Sequence, residues 1–160
     1  MADEIAETAT GLPGLPPSMR ERVSFYLYRT ALAATALADA TLREMGLTAR
    51  AVGILTLIVE REPMSQRALG DTLGVDRTTM VALLDDLEAR GYVERRRHPD
   101  DRRAFLIQPT AAGEAAQRRA VELLDECERS YLAGFSPEER RQLLGLLARL
   151  FRAHGPRPQG

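Results

Sequence analysis

Five arginines crowd the stretch RRRHPDDRR: Arg95, Arg96 and Arg97 before a His-Pro-Asp-Asp turn, Arg102 and Arg103 after it. A guanidinium stays charged and presents a planar fork of donors, which suits phosphate and base-edge recognition rather than acid–base catalysis. On a strand, Arg95 and Arg97 share one face. Asp101, two residues before Arg103, can hold that guanidinium in a fixed pose. A second group lies at helical spacing. Arg77, Thr78, Val81 and Ala82 fall opposite the apolar Met80, Leu83, Leu84 and Leu87. Small side chains there would let a helix sit deep in a DNA major groove. Threonine hydroxyls would meet phosphate or base edges, and Val81 or Ala82 the thymine methyls. Asp85 and Asp86 on the same helix work against this, because they repel phosphates.

The formal net charge is −1, so any cationic footprint must come from local distribution rather than from the total. All 22 basic residues are arginine, a uniformity that codon usage in a GC-rich genome explains more simply than binding does. A lone cysteine, Cys127, forms neither an intrachain disulfide nor a zinc site, and His98 and His154 lie far apart. No nucleophile sits beside a partnered base, and there is no metal-ligand cluster or phosphate loop, so no enzymatic activity, metal or cofactor is expected. The apolar run AVGILTLIV is too short to cross a membrane. The acidic start, with no basic residue before Arg20, does not read as a secretory signal. A soluble cytoplasmic protein without a membrane partner is the expectation.

These residues must be positioned by elements that the sequence marks out. Residues 1–17 read as a disordered leader, with three prolines and two glycines in GLPGLPP. Ser18 and Glu21 form a capping-box pattern opening one long helix to about Met45, closed by Gly46. Thr48 caps a second helix over about 49–60. Ser65 caps a third, SQRALGDTLG, and Asp76 a fourth, DRTTMVALLDDLEARG, with Gly74 and Val75 in the tight turn between them. Two strands follow, about 92–97 and 103–108, joined by the HPDDR turn. Thr110 caps a fifth helix over about 111–133. Ser136, Pro137 and Glu139 open a sixth, striped with Leu143, Leu144, Leu147, Leu150 and Phe151. The fold class is mainly α with a small β wing (α+β). A winged helix-turn-helix domain at 47–110 is flanked by helical dimerisation segments at 18–46 and 111–154, with a loose tail at 155–160.

In this setting Arg95 and Arg97 would lie along the phosphate backbone, and an arginine at the hairpin tip would enter a minor groove. Ser65 and Gln66, at the start of the third helix, would add backbone contacts. The chain resembles the multiple antibiotic resistance regulator (MarR) family of winged-helix repressors over residues 18–153. The likeness rests on Asp101, Arg102 and Arg103, then Pro109, Thr110 and Gly113, on Val75-Asp76-Arg77-Thr78-Thr79, and on Leu87-Glu88 with Gly91-Tyr92-Val93. Pro109 replaces the family's usual leucine, and Asp86 stands where a basic residue is common. The resemblance implies a homodimer whose first, fifth and sixth helices interleave. The amphipathic stripes of those helices point the same way, since exposed stripes need a partner. Two recognition helices one DNA turn apart would demand a pseudo-palindromic double-stranded site. Small aromatic or anionic effectors bind similar regulators where the first and fifth helices meet the winged domain, which singles out Tyr26 and Arg29.

Cys127, mid-helix among acidic residues, reads as a buried structural thiol rather than an oxidation sensor, and His98 as a turn residue rather than a pH switch. The competing reading is a winged-helix protein-interaction module without specific DNA binding. Salt separates the two, because DNA binding weakens steeply with salt through counterion release.

Overall fold

A computed structural model describes residues 14–61, 63–97 and 105–155. The chain divides into two compact units, Met1–Leu37 and Ala38–Gly160.

In the first unit a single turn, α1 (Pro17–Arg20), precedes α2 (Val23–Thr41), which runs on into the second unit. The expected single helix from Ser18 to Met45 is therefore three pieces: α1, α2 and a 3-10 turn at Arg43–Met45. Ser18 lies inside α1 instead of capping it, because the first free amides turn back to Pro16, whose carbonyl receives the N–H groups of Met19 and Arg20. Gly46 closes the 3-10 turn at φ 64°, the left-handed position that favours glycine. In α2, Val23, Tyr28 and Leu32 are exposed.

The second unit carries the winged helix-turn-helix. Its elements are α3 (Ala49–Glu60), β1 (Met64–Ser65), α4 (Gln66–Leu73), α5 (Arg77–Ala89), β2 (Val93–Arg97), β3 (Phe105–Pro109), α6 (Ala111–Tyr131) and α7 (Pro137–His154). Every expected cap from Thr48 onward is made. Thr48, Ser65, Asp76, Thr110 and Ser136 each accept a hydrogen bond from the backbone N–H three residues on. At α7 the capping box is complete, with Glu139 accepting from the Ser136 N–H. The three-stranded antiparallel sheet has the order β1-β3-β2, with Arg95 opposite Ile107 and Arg97 opposite Phe105. Strand β1 was not expected, since two residues leave no alternation to read. Its Met64 and Ser65 pair with Ile107 and Leu106.

The core of this unit lies under the sheet and between α3, α5 and α6. Ile54, Leu55, Leu69, Leu84, Leu87 and Ala120 are wholly buried in it. The Thr110–Gly113 pair marks where α6 meets the strand exit. Thr110 donates its hydroxyl to Gly91 O, at 2.6 Å, and its N–H to Tyr92 O. A Cβ on Gly113 would stand 1.9 Å from that same Tyr92 oxygen, so only glycine admits this approach of backbone to backbone. By contrast α7 buries no residue. Leu144 and Phe151 are 69% and 63% exposed, and Leu143, Leu146, Leu147 and Leu150 are exposed with them. Among the described residues no helix is long and apolar enough to cross a membrane.

Candidate nucleic-acid interface

The turn between α4 and α5 is tightened at two glycines. Gly74 takes φ 64°, and the Val75 N–H donates to Gly70 O at 3.0 Å. A Cβ on Gly70 would press to 2.9 Å from Val75 O, so this position keeps the two helices close, a role the spacing alone does not reveal. Asp76 then opens α5. Its carboxylate accepts from the Thr79 hydroxyl at 2.6 Å and from the Thr79 N–H at 3.0 Å, and these bonds hold its pKa below the usual aspartate value. With Thr79 tied to the cap, Arg77, Thr78, Val81 and Ala82 form the exposed face of α5, while Met80, Leu84 and Leu87 are buried on the other. Leu83 is half-buried between them. Arg77 makes no ion pair with a described residue.

Residues from separate elements line one cleft of about 720 Å³ beside this face: Ser65 and Gln66 of α4's start, Arg67, Arg77, Arg95 and Phe105. Ser65 caps α4 through its oxygen, accepting from the Ala68 N–H at 3.2 Å, which leaves its hydroxyl proton for a further acceptor. Ser65 and Gln66 are half-buried.

The structure resolves the acidic residues that opposed a DNA-facing α5. Asp86 accepts from Arg90 at 2.8 Å, and Asp85 and Glu88 both accept from Arg95 of β2. The hydrogen bond to Asp85 leads in raising the Arg95 pKa above its ordinary value, with the negative charge of Glu88 adding to it against the cost of burial. Arg95, expected along the phosphate backbone, thus has its guanidinium directed onto α5. Arg97, on the same face, stacks over the exposed ring of Phe105, 5.6 Å from its centre. Arg96 lies on the opposite face and pairs with Glu94 at 2.8 Å. Asp101, Arg102 and Arg103, like His98, lie outside the described residues.

Tyr26 and Arg29 both sit on α2. The Tyr26 hydroxyl is buried and has no hydrogen-bond partner among the described residues, while Arg29 is exposed. Cys127 is half-buried rather than buried. Among the described residues no three potential ligands cluster to hold a metal ion.

Comparison with known proteins agrees with this geometry. The profile of the MarR family matches residues 45–104. A putative transcriptional regulatory protein for the hcr operon of Thauera aromatica is 32% identical over 142 residues, covering 88% of this chain and 86% of the relative. A solved structure of the transcriptional repressor CouR bound to a 23-mer DNA duplex superposes with a TM-score of 0.80 at 29% identity, over 84% of this chain and 95% of that one. A crystal structure of CouR from Rhodococcus jostii RHA1 bound to p-coumaroyl-CoA does so with a TM-score of 0.74 at 26% identity, over 84% and 95%.

Proposed function

Since the chain belongs to the MarR family of winged-helix transcriptional regulators, not to an enzyme family, we propose that it is a homodimeric repressor released from DNA by a small-molecule effector. The observation that carries the reading is the outer face of α5. Arg77, Thr78, Val81 and Ala82 are exposed together, and the acids beside them are held in ion pairs with Arg90 and Arg95. These four residues read the major groove. Arg103, oriented by Asp101 and flanked by Arg102, reads the minor groove. Arg97, Ser65 and Gln66 contact backbone, and the DNA-bound CouR supports this use of the fold.

The exposed stripe of α7, with the apolar residues of α2, supports the homodimer. The two-fold axis then makes the site a pseudo-palindrome. The CouR complex with p-coumaroyl-CoA supports an aromatic or anionic effector, for which Tyr26 and Arg29 are the contacts of choice. Such an effector releases DNA only by binding better to a form whose recognition helices no longer match the operator spacing.

Fluorescence anisotropy with the intergenic DNA beside the protein's own gene tests this, at several salt concentrations and with unrelated DNA as control. Tight, selective binding that falls steeply with salt is expected. Absence of binding at every salt concentration would turn the reading to a protein-interaction module.

A further inference from the structure

We propose that Arg95 is a positioning residue that locks the wing to α5, and that its charge is not among those offered to DNA. The proposal rests on the DNA-binding reading. Among the ion pairs in the described residues, those of Arg95 alone join two elements. The others lie within one helix or its cap, or along one strand. Asp85 and Glu88 are one turn apart on α5, and each accepts from a different terminal nitrogen of the same guanidinium. Two acceptors on two nitrogens fix the plane of the fork, where one acceptor would let it swivel.

Location adds to this. Arg95 pairs across the sheet with Ile107, a core residue, so the lock sits midway along the described ladder of β2 and β3. Two residues on, Arg97 pairs with Phe105 at the outer end of the described strands. A small tilt of the strands there therefore shifts Arg97 and Phe105 against the face formed by Arg77, Thr78, Val81 and Ala82. Charge makes the same point. One guanidinium and two carboxylates carry one net negative charge, so the trio repels a phosphate rather than binding it. The Arg95 side chain is 25% exposed, less than either acid it holds.

The test is the double variant Asp85→Asn, Glu88→Gln, beside Arg95→Gln. Simple electrostatics says that removing two acids from a DNA-facing surface strengthens binding to all DNA. The lock predicts the opposite for the operator: affinity falls about tenfold, while affinity for unrelated DNA holds or rises. Arg95→Gln should lose operator affinity with an unchanged dependence on salt, whereas loss of a phosphate contact lowers that slope by about one. Stronger operator binding in the double variant, or a lower slope in Arg95→Gln, overturns the proposal. Amide hydrogen exchange reads the lock without DNA. Both variants should speed exchange in 93–97 and 105–109 while α3 stays protected. If the wild-type protein does not distinguish operator from control, the DNA reading fails by itself. Exchange then decides the lock: faster strands support it, and unchanged strands reject it.

Discussion

Leu84 of α5 and Leu144 of α7 are the same side chain in opposite circumstances, one wholly buried and the other 69% exposed. The helix-turn-helix and wing close their own core around Leu55, Leu69, Leu84 and Leu87. Helix α7 is as well capped as any in the chain, yet its leucines face outward. Local signals therefore build both regions equally well, and what separates them is where the apolar face is spent. At roughly 25 cal/mol per Å² of apolar surface, a stripe of six such residues is costly to leave wet, and a second copy of the chain is the cover proposed for it.

The sharpest way to break this comparison is to substitute the leucines of each region in turn. Leu84→Ala removes a side chain from a closed core and should cost about 2–5 kcal/mol in denaturant unfolding, at all protein concentrations. Leu144→Glu combined with Leu147→Glu should leave the helical circular dichroism of the chain largely in place. Sedimentation should instead find a monomer, and the unfolding midpoint should no longer rise with concentration. If the double glutamate variant sediments like the wild type, α7 is not the dimer surface, and the contrast between the two regions loses its explanation.

How much of this could be read beforehand follows the range of the interactions. Caps act over three residues, and those at Thr48, Ser65, Asp76, Thr110 and Ser136 were legible because side chain and amide lie in one short segment. The outer face of α5 was legible from its helical period. What failed depended on partners elsewhere. Ser18 is the local exception: it looks like a cap, but the nearby Pro16 carbonyl takes the amides of Met19 and Arg20. Strand β1 exists only because β3 lies beside it. Arg95 resembles its neighbours in sequence, and only the packing of β2 against α5 brings Asp85 and Glu88 to it. Gly70 carries no motif at all, and its reason is the Val75 carbonyl across the turn.

The comparison sharpens when outward-facing residues are tested the same way. Arg103→Ala should leave unfolding unchanged and cost about 1–3 kcal/mol of operator affinity, relaxing selectivity for A·T-rich flanks of the site. Anisotropy against operators with altered flanks checks this. Unchanged affinity would take the minor groove away from the wing.

The smallest effect belongs to the cap of α5, which separates stability from recognition at one residue. The hydrogen bonds from Thr79 hold the Asp76 carboxyl below its ordinary pKa. The unfolded chain therefore takes up this proton at a higher pH than the folded one does. The cap's charge-dependent contribution is present above the ordinary aspartate range and is lost as the pH falls through the depressed folded value. Asparagine caps a helix about as well as aspartate but does not titrate there. Asp76→Asn should therefore unfold at a slightly lower temperature than the wild type at neutral pH, with the gap closing in acid. A gap that stays constant across the pH series would mean that the Thr79 bonds do not favour the charged form. Because Asp76 is exposed and far in sequence from the α7 leucines, its replacement should leave the concentration dependence of unfolding as it was, so the core and the dimer surface remain separately testable.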